Sequence, residues 1–181
     1  MHERDFKVVM ATMPLRIVVD TREQSPYTFS ACPDVEVIRA TLETSDYSLL
    51  GWEDQIGIER KGSLDELCNC FTQDRRRFER EMQSMKFFER AAVIIEDSFP
   101  NAMAGRYRSK LTSNALIESI CAFQIRYNVA FCFTGNRLAG ERLTYSLLSK
   151  FSYEMERRYL RLTRSMETSM ETFPRKFRGV S

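Results

Sequence analysis

The apolar residues of this chain come in short runs, and that spacing constrains the fold more than any other feature. Leu15–Val19 stops abruptly at Asp20, while Ala91–Ile95 and Val129–Phe133 are comparably short. Five apolar residues make a buried strand, and no run approaches the ~20 needed to cross a bilayer. Elsewhere the period changes. Phe78, Met82 and Met85 with Phe87 or Phe88 recur at helical spacing over 74–90, as do Leu116, Ile117, Ile120 and Phe123 after a capping Ser113.

Several further elements can be placed. Val35–Leu42 alternates as a half-buried strand does, and Tyr47–Leu50 and Gln55–Arg60 flank the turn Gly51–Asp54 as a hairpin. Ser63-Leu64-Asp65-Glu66 fits a capping box opening a helix to about Phe71, and Leu138 to about Arg164 reads as a long final helix. A strand-rich first half followed by β-α-β alternation predicts an α/β fold, three-layered, with a mixed central sheet covered on both faces. Residues 1–14 read as a leader, 15–164 as one domain and 165–181 as a basic tail.

Composition removes whole classes of chemistry. With 43% hydrophobic and 29% charged residues, 181 residues are enough for one globular core. The net charge of +2 says nothing about nucleic acid, but a single histidine, His2 in the leader, eliminates His-based triads and His-ligated zinc. Five cysteines are an odd set, and Cys68 and Cys70 lack the second pair a zinc site requires, so reduced thiols are expected. Without an apolar secretory segment at its start, the chain is expected in the cytoplasm.

Carboxylates and lysine remain. Asp20, Glu23, Asp46 and Glu59 all fall at strand ends, with Asp46 and Glu59 on opposite arms of the hairpin. Lys61 follows Glu59 by two, which puts both side chains on one face of a strand. Two carboxylates ~5 Å apart repel by about 3 kcal/mol at an effective dielectric of ~20, a cost that Mg2+ or Mn2+ in an all-oxygen site removes. Each of these acids could equally be a surface charge or an ion-pair partner of Arg22, Arg60 or Lys61.

Longer strings sharpen the choice. Thr44-Ser45-Asp46-Tyr47, Ile58-Glu59-Arg60-Lys61 and Leu64-Asp65-Glu66-Leu67, preceded by Val18-Val19-Asp20-Thr21-Arg22-Glu23, resemble the XPF family of structure-specific DNA endonucleases from about Leu15 to Phe133. The resemblance departs from the family pattern at Ser45 and Asp74, where glycine is usual, and at the added Gly62. It implies a restriction-endonuclease-like PD-(D/E)xK core and a Mg2+-dependent DNA endonuclease, with Mn2+ able to substitute. By the same carry-over Asp46, Glu59 and Asp20 would be metal ligands, with the Arg60 carbonyl a further donor. Lys61 would be the catalytic lysine, Glu23 a supporting acid and Arg60 an orienting or DNA contact.

The expected partner is branched DNA or a single-strand/double-strand junction, met in repair or recombination. No nucleotide cofactor is implied, since no Walker lysine loop is present, and no helix-hairpin-helix pattern follows Thr134. Small bacterial or phage proteins are the expected source. Candidate phosphate contacts are Arg75, Arg76 and Arg77, and the loop Arg106-Tyr107-Arg108-Ser109-Lys110, with Tyr107 placed to stack a base. Leu116–Phe123 and Leu143–Tyr159 are candidate homodimer faces. A catalytically quiet DNA-binding or scaffold subunit of the same fold is the alternative.

Overall fold

The computed structural model describes residues 14–32 and 34–172. Residues 14–149 form one compact unit, and the residues from Lys150 onward belong to a second. The leader up to Met13 and the last nine residues lie outside the described residues.

Six strands build one sheet: β1 (Leu15–Asp20), β2 (Val35–Ala40), β3 (Tyr47–Leu49), β4 (Ile56–Lys61), β5 (Arg90–Ile95) and β6 (Ala130–Phe133). Their spatial order is β2-β1-β3-β4-β5-β6. Only β3 runs against its neighbours; β1–β2, β4–β5 and β5–β6 are parallel pairs. The hairpin is therefore the one antiparallel insertion in an otherwise parallel sheet. The carboxyl ends of the other five strands share one edge, the edge where open α/β sheets place their ligands.

Five helices complete the fold: α1 (Leu64–Phe71), α2 (Arg75–Met85), α3 (Phe99–Met103), α4 (Ser113–Tyr127) and α5 (Arg137–Thr172). One face of the sheet carries the main core, where Val93 and Ile95 meet Leu67, Phe71, Phe78, Met82 and Phe123. Phe78 stacks on Phe123 at 5.6 Å, and Phe71 meets Phe123 edge-on at 5.0 Å. The start of α5 lies against the other face. There a Cβ at Gly140 would come within 2.5 Å of the Tyr27 hydroxyl, so only glycine permits this approach.

Several local expectations need revision. Thr112, not Ser113, caps α4, accepting from the N–H of Ala115. The helix expected over 74–90 ends at Met85, and Phe87 is exposed at 78% while Phe88 packs on the core. Helix α5 runs on to Thr172, so 165–172 is helix rather than tail. Leu116, Ile120 and Phe123 are buried inside the chain, so that face of α4 is closed to a second copy. All five cysteines are free, with Cys68 and Cys70 buried. Among the described residues no helix is long and apolar enough to cross a membrane.

Candidate active site at the carboxyl edge of the sheet

The hairpin brings the predicted acids together. Asp46 sits one residue before β3, its backbone clamped on both sides. Its N–H donates to the Ile58 carbonyl (3.0 Å) and its carbonyl accepts from the N–H of Asp20 (2.9 Å). Where the β3–β4 ladder ends, the side chain takes over as acceptor: Asp46 Oδ2 receives the N–H of Arg60 at 2.7 Å. Ser45, at the position where a glycine was expected, holds a left-handed φ of 69°. The turn into Asp46 therefore keeps the glycine conformation without the glycine, at a cost of about 1 kcal/mol.

Glu59 and Lys61 share a face of β4, as their spacing predicts. Lys61 Nζ donates to Glu59 Oε1 at 2.7 Å and lies 5.5 Å from the Phe78 ring. Burial alone would lower the Lys61 pKa, but the Glu59 charge and hydrogen bond, with Cys70 and Glu66, together outweigh it, raising the pKa and keeping the ammonium protonated. Burial, then the Glu59 charge, push the Asp46 carboxyl up to about 8, despite the opposing Arg60 N–H and Lys61 ammonium. Glu66 joins from α1. Its N–H donates to Ser63 Oγ at 3.2 Å, as in a capping box, but its carboxylate reaches back to the N–H of Gly62 (2.8 Å) and to Lys61 (3.7 Å).

These groups line an open cleft of about 490 Å³ whose lining residues include seven acids and only four basic residues, Arg60 among the latter although its guanidinium turns to the other face. Glu81 of α2 is one that sequence reasoning missed; burial and then the Glu59 charge raise its pKa. The excess of oxygen donors, and an Asp46 that its neighbour drives towards protonation, fit a hard divalent cation held by one or two carboxylates. Asp20 is the exception among the expected ligands. Its oxygens accept from the Arg22 N–H (2.7 Å), Arg22 Nε (2.8 Å) and Nη2 (3.0 Å), and the Leu42 N–H (2.7 Å). Four donors saturate that carboxylate, and no group of three metal-ligating side chains forms among the described residues. Through those bonds Asp20 fastens the loop that carries Asp46, and all three expected ligands, Asp20, Asp46 and Glu59, line the cleft.

Arg60 projects from the other face of β4. Its guanidinium forms two hydrogen bonds to Glu96, at 2.7 and 2.8 Å, and reaches Glu23 at 3.5 Å. Two guanidiniums approach the Tyr27 ring, Arg60 at 5.6 Å and Arg137 at 5.0 Å. The Glu96 bonds raise the Arg60 pKa. Burial of Glu96 is outweighed by Arg60, which holds that carboxyl below its ordinary value. Glu96 follows β5 directly, its N–H bonded to the Lys61 carbonyl at 2.9 Å. The parallel register of β4 and β5 was the signal that could have found it.

The predicted cationic contacts are mostly exposed, with one reversal. Arg75 pairs with Glu79 (3.0 Å), Arg77 approaches Asp74 (3.6 Å) and Glu81 (3.9 Å), and Arg76 is exposed. Asp65, on the first turn of α1, accepts from Arg108 N–H (2.7 Å) and Nε (3.0 Å) and from Ser109 N–H (3.1 Å), latching the 106–110 loop. Arg106 bonds Asn101 at 3.2 Å, and Lys110 is exposed. Tyr107, expected to stack a base, instead packs on the core with its hydroxyl buried. It anchors the loop rather than offering a ring face.

Residues 19–147 match the ERCC4 domain family. The chain belongs to that family. Two solved structures agree with the assignment. XPF from Aeropyrum pernix is 28% identical with a TM-score of 0.57, covering 76% of this chain and 61% of that one. XPF from the same organism in complex with DNA is 29% identical with a TM-score of 0.58, covering 77% and 66%. This ERCC4 domain thus spans less than two thirds of either relative. No curated protein matches the chain.

Proposed function

We propose that this ERCC4 domain is a divalent-metal-dependent DNA endonuclease acting on flap, fork or junction DNA in repair or recombination. The supporting observation is the gathering of Asp46, Glu59 and Lys61 in a cleft where carboxylates outnumber cations. Asp46 and Glu59 would hold Mg2+, or Mn2+ in its place, with the Arg60 carbonyl as a further donor. Bound there, the ion would polarise a phosphoryl oxygen and lower the pKa of the attacking water. Lys61, kept charged by Glu59, orients that water or offsets negative charge developing on the phosphate. Asp20 and Glu23 act at one remove, the first through Arg22 and the Leu42 N–H and the second through Arg60.

Arg75, Arg76 and Arg77 with Arg106, Arg108 and Lys110 supply phosphate contacts, so affinity should fall steeply with salt. On α5, Tyr153 and Tyr159 stay exposed and are the candidate face for a second copy. The deciding experiment is a panel of labelled branched and linear DNAs assayed with Mg2+, Mn2+ and chelator. Asp46→Asn and Glu59→Gln should abolish cleavage while retaining the fold by circular dichroism. Full cleavage in chelator would overturn the metal role.

A further inference from the structure

Tyr107 is partly buried against the core, and the same stretch of chain exposes a second ring. Phe99 and Met103 are one helical turn apart on α3 and remain 46% and 55% exposed. The Phe99 ring meets Phe133 edge-on at 5.4 Å. Phe133 pairs with Ile95, and Ile95 with Lys61, so this ring lies in the same cross-strand row as the lysine. Two strand spacings separate them, about 10 Å.

The surroundings carry the complementary charge. Arg106 is tied to α3, its backbone N–H reaching the Asn101 carbonyl at 2.9 Å and its side chain the Asn101 amide oxygen at 3.2 Å. Arg108, 92% exposed, is held in place by Asp65, and Lys110 follows. An exposed aromatic two residues from the asparagine that ties Arg106, followed by further cations on a fixed loop, matches the elements with which proteins bind unpaired strands: the cations track phosphates and the ring takes a base.

We infer that Phe99, backed by Phe133 and Met103, is a stacking platform for an unpaired nucleobase of the DNA strand beside the cleft. The inference rests on the DNA-cleavage reading and specifies the single-stranded part of its substrate. The ring geometry supports a base rather than an aliphatic partner: Phe133 props Phe99 at its edge, leaving a π face available. The basic loop favours a polyanion over an apolar protein segment.

The test is equilibrium binding of the full chain to labelled single-stranded and duplex oligonucleotides, in chelator so that nothing is cut. Phe99→Tyr keeps the ring, and Phe99→Leu keeps an apolar contact with Phe133 but removes it. Single-strand affinity should stay within about twofold for Phe99→Tyr and fall about tenfold for Phe99→Leu, with a smaller loss on duplex. An abasic site scanned along the strand should reproduce that loss at one position in the wild type and add nothing in Phe99→Leu. Ile125→Ala, an exposed apolar change on α4, should bind as the wild type does.

Equal affinity of Phe99→Leu and wild type, or insensitivity to every abasic position, would overturn the platform. So would a Phe99→Leu change in sedimentation, which would show that a second copy covers the patch. Because binding is read without cleavage, a chain that cuts no DNA would defeat the nuclease reading and leave these measurements to decide the platform alone.

Discussion

The two faces of β4 differ in how their charges are balanced. On one, Glu59 and Lys61 pair at 2.7 Å inside an open cleft that still has more carboxylates than cations. On the other, Arg60 is closed into Glu96 by two short hydrogen bonds, at 11% and 6% side-chain exposure. Alternate residues of one strand thus build a site short of positive charge and an anchor that is complete. The anchor holds the peptide whose N–H points at Asp46, so the reactive face depends on the closed one for alignment.

That contrast can be broken from either side. The largest effect should follow Lys61→Met, which removes the cation and leaves Glu59 buried without it. Cleavage in the DNA panel should fall by about 100- to 1,000-fold or more. Arg60→Ala acts on the other face and should be mainly a stability variant. Losing both Arg60 hydrogen bonds leaves Glu96 with Arg137 at 3.6 Å and should cost about 3 kcal/mol in urea unfolding, with a smaller fall in cleavage than for Lys61→Met.

Asp20 sharpens the comparison through pH. Burial raises its pKa, but Arg22 and the backbone N–H groups outweigh burial and hold it below the ordinary value. Its ionised form therefore stabilises the fold fully above about pH 4, and that contribution is lost as pH falls through the depressed value. Asp20→Asn should cost about 2 kcal/mol at neutral pH and flatten the acid limb of a stability–pH curve. The smallest effect is a gain. Ser45→Gly relieves the left-handed backbone and should raise stability by up to about 1 kcal/mol in the same unfolding assay.

Sequence patterns revealed what is local. The strand runs, the hairpin and the Glu59–Lys61 pair depend on a period of two, and the helix after Ser63 on its cap; each can be read within a few residues. Glu96 and Glu81 escaped because they reach the site only through the β4–β5 register and the packing of α2. The hydrogen bonds by which Arg22 and Leu42 fill the Asp20 carboxylate are likewise not shown by a linear string. Tyr107 packs against the core with its hydroxyl buried, which a linear string does not show either.

The placement of the hairpin also sets how robust the chemistry should be. Asp20, Asp46, Glu59 and Lys61 come from β1, β3 and β4 or their immediate ends, while β2 and β6 form the outer borders of the sheet. Fraying at either border can cost binding surface without separating the reactive trio. Under the proposed function, substitutions at those margins should therefore alter cleavage less than substitutions in the interior.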